Sequence, residues 1–224
     1  MLIRAVLFDL YETLVTEFNQ PLRRASSLAT QLGVDEAAYK REWKSRRAEI
    51  VLGRCTFHDA LAQIAAKLGG VADESVLQGL RSERVAQKTT VLQTVEPDML
   101  AAVGELRRKG LKLGVVTNAF AEDVAGWEGS PLRPFFDVTV FSHAVGLAKP
   151  DPEIYLAACR AVGALPQCTL FVGDGVEEVA GARAAGLAAS RALWFASKWR
   201  ETTIRHDDPG LWRISQVLDA ALAA

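Results

Sequence analysis

The sequence predicts an α/β fold: a doubly wound, Rossmann-like parallel sheet with a helical unit inserted after its first strand. Three observations carry that expectation. Val6, Leu7 and Phe8 form an apolar run that reads as a strand buried on both faces. From Val91 onward such runs alternate with helical patterns, the signature of βαβ units. Between them lies a stretch of about eighty residues with helical periodicity and no strand pattern. The expected division is residues 1–15 and 92–224 for the sheet core and 16–91 for a helical cap.

Composition narrows the class. Lys and Arg number 26 against 27 Asp and Glu, a net charge of −1 that points to neither a nucleic-acid nor a membrane partner. Half of the 224 residues are hydrophobic, enough to bury a sizeable core. Cys55, Cys159 and Cys168 follow no metal-ligand spacing and suit a reducing cytosol. The N-terminal apolar run is broken by Arg4 and Asp9, too short and too charged for a signal peptide, and no run reaches membrane-spanning length. A soluble cytoplasmic protein, monomer or homodimer, is expected.

Taken in order, the first strand ends abruptly at Asp9. In the inserted stretch, Leu22, Ala25, Leu28, Ala29 and Leu32 step at helical spacing up to Gly33. Tyr39, Trp43 and Ile50 continue the period to Gly53, and Leu61, Ile64, Ala65 and Leu68 to Gly69. Asp73 is placed to cap a fourth helix carrying Val76, Leu77, Leu80 and Val85. Pro97 opens and Gly110 closes the next helix, and strands follow at Leu111–Val116 and Val138–Phe141. Asp151 caps a helix with Pro152 at its first position. Leu170–Val172 is a fourth strand and Leu187–Leu193 a fifth, separated by a helix that closes at Gly186. Trp194, Phe195, Trp199 and Trp212 are read as cover for a sheet edge, ahead of a dimer contact, and Ile214–Leu222 as a closing helix.

Polar groups stand at or just past four strand ends: Asp9, Thr117-Asn118, Lys149 and Asp174. In a parallel sheet these ends share one edge, so groups far apart in sequence converge there. A carboxylate at the end of a buried strand is costly unless paired or working, which makes Asp9 the first candidate for the reacting group.

In this order the motifs FDLYETL, VVTN, GLAKPDPEIY and VGDGVEEVAGARAAG resemble those of the haloacid dehalogenase-like hydrolase superfamily, in the subfamily with a helical cap between its first two motifs. The resemblance implies a nucleophilic Asp9 that forms a covalent aspartyl intermediate. It implies that Thr117 and nearby backbone amides, with Asn118 in support, hold the transferring group's oxygens, and that Lys149 neutralises charge. It implies Mg²⁺ held by Asp9, Asp174 and the backbone carbonyl of Tyr11, with Glu178 beside the ion or one step removed. A carboxylate attacking a phosphate must overcome like-charge repulsion, and Mg²⁺ with Lys149 meets that need.

Two positions depart from the pattern. Tyr11 stands where the superfamily's phosphatases carry the aspartate that protonates the leaving group, and Glu12 replaces the usual glycine. A phenol is a poor proton donor at neutral pH, and losing general-acid help costs roughly 10²–10⁴ in rate. The expected activity is hydrolysis of a small phosphorylated metabolite, slow or confined to leaving groups that need no proton. The alternatives are a metal-independent 2-haloacid dehalogenase, since those enzymes share the tyrosine, and a weakly catalytic member that binds a phosphorylated ligand or protein. Asp174 and Glu178 weigh against the dehalogenase, because three carboxylates without a cation would repel its substrate. In the cap, Arg46 or Arg47 is a candidate for the substrate's anionic end, with Arg47 on the side of Tyr39 and Trp43.

Overall fold

The computed structural model describes residues 2–18, 25–195 and 210–223. Five strands, β1 (Ala5–Phe8), β2 (Lys112–Thr117), β3 (Val138–Phe141), β4 (Thr169–Gly173) and β5 (Ala188–Arg191), pair in parallel in the order β3-β2-β1-β4-β5. The chain winds outward from β1 to β3 and then returns to lay β4 and β5 on the other side. The direction of winding reverses between β1 and β4, where an open parallel sheet leaves a crevice beyond its C-terminal ends. Register sets Phe8 beside both Val115 and Val172. Asp9 therefore leaves the sheet at that crevice, its N–H donating to the Val172 carbonyl at 2.9 Å.

The helices among the described residues are α1 (Ala25–Gln31), α2 (Glu36–Val51), α3 (Phe57–Leu68), α4 (Glu74–Gln93), α5 (Pro97–Arg108), α6 (Ala121–Val124), α7 (Ser142–Val145), α8 (Pro152–Val162), α9 (Val176–Ala184) and α10 (Gln216–Ala223). Alternate strand residues serve opposite faces. Val6, Phe8, Val115 and Val172 pack with Met99 and Val103 of α5 and Val217 of α10. Ala5, Leu7, Val116 and Phe171 pack with Ile154 and Ala158 of α8 and Ala182 of α9. Covering both faces is what lets β1 be apolar at every position.

Helices α1 to α4 gather a separate cluster of Leu32, Tyr39, Ile50, Phe57, Leu61, Ile64, Leu77 and Leu80, joined by Phe120 from beyond β2. Their ends follow local chemistry: Asp35 accepts from the Ala38 N–H, Thr56 from that of Asp59, and Gly69 closes α3 at φ 71°. The C-terminal end of α2 lies directly on α7. Ser142 Oγ donates to the Val51 carbonyl at 2.7 Å, and a side chain at Gly53 would sit 2.0 Å from the His143 carbonyl oxygen.

The expected strands and principal helices are present, with several differences. Asp73 sits at the N-cap of α4 but makes no side-chain cap bond, and α4 runs on to Gln93, past Val91. β5 is only four residues long, and beyond it Ala192 bridges to Leu211. Trp194 and Phe195 enter the core rather than cover the sheet edge, with the Trp194 indole N–H donating to the Thr13 carbonyl at 2.9 Å. Backbone serves the edge instead: Leu211 bonds to Arg191 and Leu193 at 2.7 and 2.8 Å. Leu22 and Trp199, expected in a helix and over the sheet edge, lie outside the described residues.

Candidate active site

Asp9, Thr117, Lys149 and Asp174 come together at the C-terminal edge of the sheet, as the strand order requires. Asp9 and Lys149 are both buried, and Lys149 Nζ lies 2.5 Å from Asp9 Oδ1 and 2.9 Å from Glu178 Oε2. Asp9, Asp174 and Glu178 each present a carboxylate oxygen within 4.8 Å of the others. Thr117, also buried, ends β2 beside Phe141 of β3.

Backbone approach makes this convergence possible. At Gly181 of α9 an added Cβ would fall 2.3 Å from the Pro150 carbonyl oxygen. Only glycine lets α9 pack so closely on the 149–150 segment, and Glu178 is carried to Lys149 by that contact. The Tyr155 hydroxyl of α8 donates to the Glu178 carbonyl at 2.7 Å, fixing the first turn of α9.

Asn118 acts on Lys149 from the opposite side. Its amide nitrogen donates to the Lys149 carbonyl, and its amide oxygen accepts from the Lys149 N–H, both at 2.8 Å. The side chain thus closes a two-bond bridge from the end of β2 to the lysine's own backbone.

The electrostatics are one-sided. Burial alone would push Lys149 down, but Asp9 and Glu178 outweigh it and hold the ammonium above its ordinary range. Burial raises Glu178, with Lys149 opposing. Asp174 is pushed up to about 7 by burial first, then by the charges of Asp9 and Glu178. Three carboxylates around one lysine leave the cluster short of positive charge, and its all-oxygen donor set fits a hard divalent cation.

Around this cluster lies a contact set that sequence spacing did not reveal. The Tyr11 hydroxyl donates to the Asp123 carbonyl at 2.5 Å, and Lys88 Nζ of α4 sits 4.1 Å from the centre of the Tyr11 ring. Burial, then Asp123 and Glu17, hold this phenol above its usual range. Lys88 also pairs with Glu17 at 2.5 Å, and Arg84 pairs with Asp123 at 2.5 Å while lying over the rings of Phe57 and Phe120. Arg81, Arg84 and Lys88 recur three and four residues apart along α4, and that spacing was the available signal. Arg47, by contrast, is exposed, and Arg46 pairs with Glu42. Eight residues from Tyr39 leave Arg47 rotated by about 80° around the helix, whereas Ile50, eleven residues on, returns to within about 20°. His58 bonds Glu74 and His143 bonds the Ala119 carbonyl, each at 3.1 Å.

The strand order and this cluster define an open α/β fold with a polar site beyond its strand ends. The chain belongs to the haloacid dehalogenase-like hydrolases, which it matches over residues 3–186. It is 28% identical over 216 residues to a glyceraldehyde 3-phosphate phosphatase of Methanopyrus kandleri, covering 92% of this chain and 90% of that one. It is 33% identical over 201 residues to an N-acetylmuramic acid 6-phosphate phosphatase of Pseudomonas aeruginosa, covering 83% and 80%. The fold is shared with a 2-haloacid dehalogenase of Pseudomonas syringae at a TM-score of 0.70 and 22% identity, over 99% of each chain. The phosphatase names among the sequence relatives favour a phosphatase over a dehalogenase.

Proposed function

We propose that this protein is a Mg²⁺-dependent phosphohydrolase of a small phosphorylated metabolite, working through an aspartyl-phosphate on Asp9. The observation that carries the reading is the buried Asp9–Lys149–Glu178 chain with Asp174 beside it. Asp9, Asp174 and the backbone carbonyl of Tyr11 would hold Mg²⁺, with Glu178 acting through Lys149. Bound there, the ion supplies positive charge to the phosphate oxygens that face an attacking carboxylate.

The chain's own groups divide the remaining work. Asp9 presents the attacking oxygen, and Lys149 offsets the charge of nucleophile and phosphate together. Thr117, with neighbouring backbone amides, orients the transferring oxygens. Asn118 and Glu178 fix the lysine from its backbone and its tip. Residues 16–91 act as the cap that encloses the substrate. The free thiols of Cys55, Cys159 and Cys168 accord with a reducing cytoplasm.

The test is hydrolysis of p-nitrophenyl phosphate with Mg²⁺ and with EDTA, using Asp9→Asn as control. Turnover that requires both the ion and Asp9 is expected. Absence of phosphate turnover, with chloride release from 2-chloropropionate in EDTA, would replace this reading with the dehalogenase.

A further inference from the structure

Resting on the phosphatase reading, we propose that this site is specialised for phosphoryl donors whose leaving group departs as a stable anion: acyl phosphates, phosphoanhydrides and acidic aryl phosphates. Ordinary alkyl phosphate esters are turned over far more slowly. The feature that disfavours them is the fixed direction of the Tyr11 side chain.

Tyr11 occupies the position two residues beyond Asp9, from which a proton would be delivered to a departing oxygen. Its hydroxyl is spent elsewhere, donating to the Asp123 backbone carbonyl at 2.5 Å. Asp123 is itself anchored, accepting from the Phe120 N–H at 3.0 Å and pairing with Arg84 at 2.5 Å. Lys88 lies over the face of the Tyr11 ring and pins it from the other side. Turning the phenol toward a substrate would break that hydrogen bond and the ring contact with Lys88.

Neighbouring groups do not fill the role. Glu12 accepts from Thr16 and from the Glu17 N–H, Glu17 pairs with Lys88, Glu122 with Arg81, and Glu178 with Lys149. Asp174 is committed to the cation in the reading above. Each of these side chains already serves another partner.

The chemistry then follows from bond accounting. An Asp9 carboxylate oxygen forms a bond to phosphorus as the bond from phosphorus to the leaving oxygen breaks, and that oxygen keeps the electron pair. A carboxylate or phosphate carries the pair stably without a proton, whereas an alkoxide does not. Water then attacks phosphorus, the bond to Asp9 breaks with its pair returning to the carboxylate, and phosphate leaves. One proton of the water stays on the new phosphate hydroxyl and the other passes to phosphate or solvent.

The experiment compares kcat/KM for acetyl phosphate, nitrophenyl, chlorophenyl and phenyl phosphates, and glycerol 3-phosphate, in wild type and in Tyr11→Asp. In wild type, rates should fall steeply as the leaving group becomes more basic, with the alkyl ester roughly 10²–10⁴ below acetyl phosphate, the span a general acid ordinarily contributes. Tyr11→Asp should raise the ratio of the glycerol phosphate rate to the acetyl phosphate rate at least tenfold. Comparable wild-type rates on alkyl and acyl substrates would overturn the proposal, as would selective loss of alkyl turnover in Tyr11→Phe. Failure of wild type on every phosphate overturns the phosphatase reading itself, an outcome distinct from a flat leaving-group series.

Discussion

Replacing Asn118 with alanine separates two roles for that side chain. The structure gives it two bonds of 2.8 Å, both to the backbone of Lys149, a buried residue. Each such bond contributes about 1 kcal/mol net, and a backbone group left buried without a partner costs about 1–3 kcal/mol. If water replaces one partner but not both, the variant loses about 2–4 kcal/mol. For a chain of this size that corresponds to a fall in Tm of roughly 4–16 °C. The same bonds set where the ammonium of Lys149 meets Asp9, and a displacement of about 1 Å at such a group costs on the order of a hundredfold in rate. The assay is thermal unfolding together with kcat and KM on p-nitrophenyl phosphate. Expected is a lower Tm and a lower kcat with KM little changed. An unchanged Tm with a raised KM would refute this reasoning, because it would mean that Asn118 bonds the substrate and not the lysine's backbone.

Three further perturbations follow. Gly181→Ala, which in most helix interiors stabilises by up to about 1 kcal/mol, should here destabilise and inactivate, since its Cβ would stand 2.3 Å from the Pro150 oxygen; a stabilised, fully active variant would contradict the packing. Glu12 holds φ at 59°, where a non-glycine residue costs about 1–2 kcal/mol, while its carboxylate accepts from Thr16 and Glu17. Glu12→Gly should therefore be more stable than Glu12→Ala by about 1 kcal/mol in urea denaturation, and equality would show that the strain is not real. In EDTA, Asp174 should make the protein lose stability as pH rises from about 4 through about 7. Its folded carboxyl holds the proton more tightly than the unfolded one, so the contribution is complete below the ordinary carboxylate range and gone above about 7. Asp174→Asn should flatten that slope, and a slope unchanged in the variant would assign it elsewhere.

What could be read from the sequence was what depends on backbone direction. Asp9 and Lys149 are 140 positions apart, yet parallel strands put their C-terminal ends on one edge, so the order of motifs alone predicted their meeting. Side-chain direction was not legible in the same way. The motif VVTN identifies Asn118 but not that both ends of its amide turn to the lysine's backbone. The period of α2 suggested that Arg47 faces inward, but a rotation of about 80° over eight residues carries it to solvent. The aromatic run after β5 gave no sign that Trp194 would enter the core and bond the Thr13 carbonyl.

The two departures from the family's first motif belong to one structural unit. Glu12 folds its carboxylate back on Thr16 and on the Glu17 N–H, and this sets Glu17 where Lys88 of α4 can reach it. Lys88 covers the Tyr11 ring, Tyr11 bonds the Asp123 carbonyl, and Asp123 pairs with Arg84, again of α4. The loop after β1 is thereby tied to α4 directly through Lys88 and indirectly through Asp123. An aspartate at position 11 would leave the ring contact with Lys88 unmade and place another carboxylate beside Asp9 and Asp123. A glycine at position 12 would relax the backbone but release Thr16 and Glu17. The contacts that fix the phenol are therefore also ones that tie the loop after β1 to α4.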